Sequence, residues 1–487
     1  GAPMKGRVAV LRAYGGEFEL REYPVPEVEP GAILVRLTRA GVCGSDLHIW
    51  RGEMKETYGA SPRDLTFGHE MCGRVERLGA GVTADSMGQP LREGDRVTYC
   101  YFFPCGRCPV CLHDEMGSCP RKVRANRVAG TPPYFNNAYG DYYYLRPGHF
   151  IFKIADEISD DIATPSNCAL SQVLYGLRRA GLRAGHSVVI QGAGGLGINA
   201  VAVARDMGAD QIIVIDRLPE RLDLARAFGA DHTLSAVDLP TADRRVEAVK
   251  ELTGGFGADV VADLVGYPEV IPEGLRMLRG GGCYLEVGSI APGNVFSYDA
   301  TALVRGNVRL VATSNYSPWA LEQSLAFLRR NLKRFPFERV VSHVFPLERI
   351  SDAFQQADWL QRQADAEFLH HVGFGRIVEI DLDGAGAQHH VEPERADARH
   401  VLAHDLVAAL GHHRQFVAAL VGPHAEPEEA EPEAVADGLD LFEVAAAFGA
   451  AHVQVPERRT REFELPGGLE ADIAVGPGER DDLAAFE

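Results

Sequence analysis

The rhythm of apolar positions changes along this chain. Up to about residue 170 they fall in short runs punctuated by Val, Gly and Pro, a pattern that predicts β-strands joined by tight turns. From about 171 to 314, apolar runs at 188–191, 211–216, 260–263 and 283–288 alternate with helical stretches such as 198–207. Short runs with no polar face are what a parallel sheet covered on both sides requires, so this part predicts a doubly wound α/β sheet. A further strand is expected at 308–312. Beyond residue 367 the pattern predicts strands at 375–381 and 461–465, one or two helices over 396–421 and another over 439–451, which together suggest a small α+β domain.

Charge sharpens that division. Residues 368–487 hold 24 Asp and Glu against 8 Arg and no Lys, and so carry −16 of the chain's net −19. All nine cysteines and all three tryptophans lie before them. A boundary is therefore expected near residue 367, with a mobile acidic loop at 426–433. An acidic surface opposes binding to nucleic acid or to anionic membranes. The 487 residues predict two or three domains, and no apolar run approaches the roughly 20 residues of a membrane span, so a soluble, cytoplasmic protein is expected.

Chemistry enters with the cysteines. Cys105, Cys108, Cys111 and Cys119 follow the spacing C-x2-C-x2-C-x7-C, which suits four thiolates around one tetrahedral zinc in a lobe too short for an apolar core. Disulfides would need an exported protein. Met4 reads as the natural start after Gly-Ala-Pro, and no apolar signal segment follows it. A second set begins with Cys43 and His69, two ligands of the kind a catalytic zinc takes, with Cys168 the best remaining candidate for the third. Cys72, Cys100 and Cys283 read as buried fillers.

The run at 188–191 leads into Gly192, Gly194, Gly195, Leu196 and Gly197, the pattern G-x-G-x-x-G, and then into a helix. A second apolar strand ends in Asp216, nineteen residues after Gly197. This is the dinucleotide fingerprint. The glycines let the backbone approach a pyrophosphate, and the acid accepts hydrogen bonds from ribose hydroxyls. Asp216 would repel a 2′-phosphate, which favours NAD over NADP, although Arg217 and Arg221 stand beside it.

Cys43, the triplet Gly68-His69-Glu70, the four lobe cysteines, Cys168 and the 192–197 fingerprint, in this order, resemble the zinc-dependent medium-chain alcohol dehydrogenases. Residues 89–97 and 165–169 look like a branch proposed to act in phosphonate catabolism. The resemblance spans about residues 4–367. It implies a GroES-like β-barrel catalytic domain over 4–170, a Rossmann NAD-binding domain over 171–314, and a return segment of the catalytic domain over 315–367, leaving 368–487 as an extra acidic, His-rich domain of unassigned role. It also implies two zinc ions per subunit, an alcohol or carbonyl substrate, and pairing through 308–312 into a homodimer or homotetramer. By the same resemblance, Ser45 and His48 match a proton relay, Asp46 orients a metal-bound imidazole, and Glu70 lies close to the metal.

Substrate identity is less legible. A third cysteine ligand resembles simple alcohol dehydrogenases more than polyol dehydrogenases, many of which place a glutamate there. For an anionic substrate, Arg121, Lys122 and Arg124 are candidate partners; Trp50 and Phe103 are candidate pocket walls. In the tail, His400 and His404 stand one helical turn apart with Asp405 beside them, a possible ligand spacing outweighed by simple solvation. The tail is more readily read as a cover for the cleft or for a subunit interface. The alternative to an enzyme is a retired dehydrogenase scaffold, against which the complete ligand set argues.

Overall fold

The computed structural model describes residues 4–60, 64–125, 127–365 and 377–383. Short, turn-rich strands build its first part. β1 (Lys5–Leu11) and β2 (Phe18–Pro24) form an antiparallel hairpin. β3 (Ile33–Gly41) pairs antiparallel with β4 (Glu70–Leu78), which leads on to β5 (Arg96–Tyr99). The small pair β6 (Phe102–Phe103) and β7 (Val123–Arg124) flanks the cysteine lobe; β8 (Tyr142–Leu145) adds to β3, and β9 (Ile151–Lys153) to β5. Two register shifts bend β3, as bulges do where a sheet curves around a core. That core holds Ile33, Val35, Leu37, Val97 and Tyr143, all at most 1% exposed.

The middle of the chain folds as its unbroken apolar runs predict. β10 (Ser187–Gln191), β11 (Gln211–Asp216), β12 (His232–Ser235), β13 (Ala258–Asp263), β14 (Leu278–Glu286) and β15 (Arg309–Ala312) form a wholly parallel sheet in the order 12-11-10-13-14-15. Val188, Val189, Ile190, Ile212 and Val214 have no exposed surface, because helices cover both faces. The strand order reverses between β10 and β13, and a crevice opens there at the carboxyl ends of the strands. Among the described residues, no helix is long and apolar enough to cross a membrane.

The return segment contributes β16 (Val341–Pro346) and the helix Ile350–Asp365. One strand then departs from expectation. β17 (Ile377–Asp381) lies between β16, to which it is parallel, and β3, to which it is antiparallel. The strand assigned to a separate acidic domain is thus a strand of the first sheet, and the boundary drawn near residue 367 falls before it. Charge composition misled because three of the tail's acids serve the barrel: Arg39 on β3 lies 2.6 Å from Asp381 and 3.9 Å from both Glu379 and Asp383. The remaining tail elements, at 396–421, 439–451 and 461–465, and His400, His404 and Asp405, lie outside the described residues.

Ile380 on β17 is wholly buried in the barrel core. Ile380→Ala is expected to destabilise the barrel by about 2–5 kcal/mol. Thermal unfolding would register this as a lowered midpoint; an unmoved midpoint would mean that β17 adds nothing to the barrel.

Candidate active site

Cys43 ends the turn after β3 and caps the helix Gly44–Trp50. The next turn brings Asp46 back beneath it, where its Oδ2 accepts from the Cys43 backbone N–H at 3.1 Å and from the Tyr139 hydroxyl at 2.8 Å. Asp46 Oδ1 lies 3.4 Å from His69 Nδ1. This fully buried carboxylate aims the imidazole, leaving the other ring nitrogen to face inward. Asn167 fixes the opposite side: its amide donates to the carbonyls of His69 and Tyr99 at 3.1 and 3.2 Å, and the next residue is Cys168.

These supports bring Cys43, His69, Glu70 and Cys168 together, with one ligand atom from each lying within 4.8 Å of all the others. The electrostatics are those of a site in need of a cation. Cys43 is held well below the usual thiol range, first by its hydrogen bond with Cys168 and then by the charge of His69; the same bond and burial push Cys168 up. Burial opposes a charge on His69, but Asp46 and the Cys43 thiolate outweigh it and raise its pKa. Glu70 is raised by burial and by the Cys43 charge. Two sulfurs, an imidazole and a carboxylate crowded in this way fit a zinc ion.

The four lobe cysteines form a second such cage. Cys108 Sγ lies 3.5 Å from that of Cys111 and 3.8 Å from that of Cys119, and Cys105 lies 3.7 Å from Cys119 and 4.0 Å from Cys111. A tetrahedron with metal–sulfur distances of about 2.3 Å has sulfur–sulfur edges of about 3.8 Å. A disulfide requires about 2.05 Å, so these are metal-cage distances.

A cavity of about 1200 Å³ joins Cys43, His69, Glu70 and Cys168 to the crevice of the parallel sheet. Ser45 and His48 line it, as do Gly192, Gly194, Gly195, Leu196, Asp216 and Arg217. Gly197 lies behind that wall, where a Cβ would come within 1.9 Å of the Gly192 carbonyl oxygen, so only glycine permits the close start of the helix Gly195–Asp206. Asp216 closes the crevice, accepting from Ala193 N at 2.7 Å and Leu218 N at 2.9 Å. His48 is paired through Nδ1 with Glu53, a partner that sequence reasoning missed.

Other expectations shift. Trp50 and Phe103 belong to the core, with the Trp50 indole bound to Gly16 O at 2.9 Å. Arg121 and Lys122 do not line the cavity; Lys122 bonds the carbonyl of Gly117, and β7 engages Arg124 through its backbone. Arg51 and Arg127 line the cavity instead, as does Tyr101, whose ring centroid is 4.8 Å from that of His69. Tyr101 stands four residues before Cys105, and only the fold turns it towards His69. Cys72, Cys100 and Cys283 are buried and unpaired, as expected of fillers.

Residues 29–156 match the model of the alcohol dehydrogenase GroES-like domain, and residues 195–330 that of the zinc-binding dehydrogenase domain. The chain is 32% identical over 348 residues to 5-exo-hydroxycamphor dehydrogenase of Pseudomonas putida, a match that covers 71% of this chain and 94% of that protein. It belongs to the zinc-dependent medium-chain alcohol dehydrogenases. D-xylulose reductase A of Aspergillus niger is also 32% identical, over 56% of this chain and 72% of its own length. Among solved structures, an alcohol dehydrogenase from Thermotoga maritima superimposes with a TM-score of 0.69 at 27% identity, covering 78% of this chain and 99% of its own. The dehydrogenase is therefore an oxidoreductase working between small-molecule alcohols and carbonyl compounds, with a GroES-like domain beside a Rossmann-like parallel sheet.

Proposed function

We propose that this dehydrogenase exchanges a hydride between a small polar alcohol and NAD, with one zinc held by Cys43, His69 and Cys168 and a second by Cys105, Cys108, Cys111 and Cys119. The observation that carries this reading is the single cavity that runs from the first three ligands to Asp216. When bound, the metal supplies a Lewis acid for the substrate oxygen, and the nicotinamide supplies the hydride acceptor.

The chain's own residues do the rest. Asp46 holds His69 in one orientation, and Asn167 ties the His69 backbone beside Cys168. Ser45 lies near the Cys43 sulfur and can pass a proton from the substrate hydroxyl; His48, paired through Nδ1 with Glu53, can carry it outward. Gly192 and Gly194 let a pyrophosphate settle at the N-terminus of the helix Gly195–Asp206, and Asp216 receives ribose hydroxyls. Arg51 and Arg127 on the cavity wall could face a substrate with an anionic group, phosphonate-bearing alcohols included, although the Arg51 guanidinium already pairs with Asp358 through Nε at 2.5 Å, which leaves Nη2 buried without a hydrogen-bond partner. A polyol is the second reading, supported by the likeness to D-xylulose reductase A.

A homodimer, or a tetramer built from dimers, is part of the same proposal. β15 is an edge strand, and Leu310 on it is 46% exposed, with Val304 and Val295 nearby in sequence at 76% and 80%.

The test is a spectrophotometric screen of the zinc-loaded protein against aliphatic, cyclic, polyhydric and phosphonate-bearing alcohols, with NAD and with NADP. At least one alcohol is expected to reduce NAD with a kcat/KM more than about tenfold above that with NADP, a preference that Asp216→Asn should narrow by about tenfold, or about 1.4 kcal/mol. A preference for NADP would overturn the role given to Asp216; no turnover with any alcohol would overturn the substrate class.

A further inference from the structure

Asp263 and Glu286 end β13 and β14 and are direct partners in the parallel ladder, so their side chains emerge together on one face of the sheet. Asp263 is wholly buried. Each carboxylate spends one oxygen on the turn that follows it: Asp263 Oδ1 accepts from Val265 N at 2.8 Å and Gly266 N at 3.2 Å, and Glu286 Oε1 accepts from Ser289 N at 2.8 Å. The second oxygens, Asp263 Oδ2 and Glu286 Oε2, are both buried and have no hydrogen-bond donor. Two neighbouring acceptors without a donor are satisfied most simply by one shared proton. Burial first, and the Glu286 charge second, push Asp263 up to about 8.

The turns so tied are not neutral scaffolding. Gly266 and Gly288 meet so closely that a Cβ on Gly266 would lie 2.4 Å from the Gly288 carbonyl oxygen. Val265 presses on the fingerprint itself, its Cγ2 lying 2.7 Å from where Gly192 would place a Cβ. Leu264, Val265, Gly266, Val287 and Gly288 form a wall of the cavity that faces the glycine-rich turn. Around the pair, the helix Val270–Met277 presents Glu273, bonded twice to Arg245 of the helix Ala242–Leu252 at 2.8 and 2.6 Å. β14 adds the Tyr284 phenol, which donates to the neutral Gln191 of β10 at 3.0 Å. β15 leads into the neutral Thr313, the loop after β14 brings Asn294 onto the Gly266 carbonyl, and Asp299 caps the helix Ala300–Gly306. Among these described groups, none supplies a cation to the two orphaned oxygens.

We propose that Asp263 and Glu286 are a positioning pair whose single shared proton clamps the turns 263–266 and 286–289 together and so holds the dinucleotide crevice in its binding shape. This rests on the dinucleotide reading above. When the proton leaves, two like charges face each other with no counter-ion, the turns part, and the wall opposite Gly192 moves. If only the protonated form binds, the apparent Kd grows as the competent fraction falls, about tenfold between pH 7 and pH 9. Because Asp263 keeps its proton to higher pH when folded than its ordinary value of about 3.9, the folded chain binds more protons between about pH 4 and 8, and its stability falls as pH rises through that window.

The test is NADH binding, followed by nucleotide fluorescence at pH 7 and pH 9, for the native enzyme and Glu286→Gln. Native Kd is expected to rise about tenfold, whereas Glu286→Gln, which keeps a donor without the charge, should change less than about twofold. An equal rise in Glu286→Gln would overturn the clamp. Should NADH bind neither protein at either pH, the dinucleotide reading fails, and thermal unfolding from pH 5 to 8 judges the pair alone. The native midpoint should fall relative to that of Glu286→Gln across this range; parallel curves would refute the shared proton.

Discussion

Cys168→Ala is expected to take zinc from two ions per chain to one and to lower the rate of alcohol oxidation by at least about a thousandfold, about 4 kcal/mol of lost transition-state stabilisation. The reason lies in how the cluster is satisfied. The ligand atoms of Cys43, His69, Glu70 and Cys168 lie within 4.8 Å of one another, Cys43 is held towards its thiolate and Cys168 towards its thiol, so a cation can displace the Cys168 proton and relieve every group at once. Alanine removes one sulfur and leaves two strong ligands, too few for a tight site in a catalytic geometry of three protein ligands and one open position. Glu70 is close enough to matter, so the variant is compared with Glu70→Gln, which is expected to keep both ions. Elemental analysis after dialysis gives the count, and NADH absorbance gives the rate. Two ions in Cys168→Ala would show that Cys168 is not an essential ligand and would move the catalytic metal elsewhere.

What the sequence revealed follows from the range of the interactions involved. The cysteine cluster was legible because its four cysteines lie within fifteen residues of one another, and the fingerprint because its strand, turn and helix are consecutive. Cys43, His69 and Cys168 are far apart in the chain, and were singled out together by their ligand chemistry and by the family resemblance; the fold brings their ligand atoms within 4.8 Å of one another. The supports around them left no signal: nothing in the chain ties Tyr139 to Asp46, or Asn167 to the His69 carbonyl, until β3, β4 and the segment before Cys168 are brought together. The Asp263–Glu286 pair depends in the same way on the register of β13 against β14. β17 was recognised as a strand but assigned to the wrong neighbour, since an average of charge over 120 residues cannot see that Asp381 answers Arg39 across a sheet. Arg121 and Lys122 were singled out for being close to the lobe in sequence, whereas the fold delivers Arg51 and Arg127 to the cavity.

Removing a ligand from the lobe is expected to act on stability first and on catalysis second. Cys111→Ser should cost the second zinc while sparing the one near Cys43. The lobe has little core beyond its own cysteines, Val110 and Met116, so the metal is its main source of folding energy, which in isolated zinc peptides amounts to about 10 kcal/mol. The whole chain will not lose that much, because the lobe can open locally. It is nonetheless stitched to the helix Ala169–Ala180 and to the start of the helix Trp319–Asn331. The Asp114 carbonyl accepts from the Tyr175 hydroxyl at 3.1 Å and from Ser317 Oγ at 2.7 Å, the Asp114 carboxylate accepts from the Trp319 indole at 3.0 Å, and Glu115 lies 3.3 Å from Arg179. Losing these anchors should cost about 4 kcal/mol, which for a domain of this size is a fall in Tm of about 10 °C. The segments that lead into these helices reach the catalytic end, since Tyr316 bonds the carbonyl of Asn167 and Asn167 holds that of His69. Turnover should therefore fall even though the first zinc stays. Limited proteolysis gives the clearest reading: cleavage within 105–122 should be fast in Cys111→Ser and slow in the native enzyme. A variant that loses its zinc yet keeps its Tm and resists cleavage would mean that the anchors to Tyr175, Ser317 and Trp319, rather than the metal, hold the lobe.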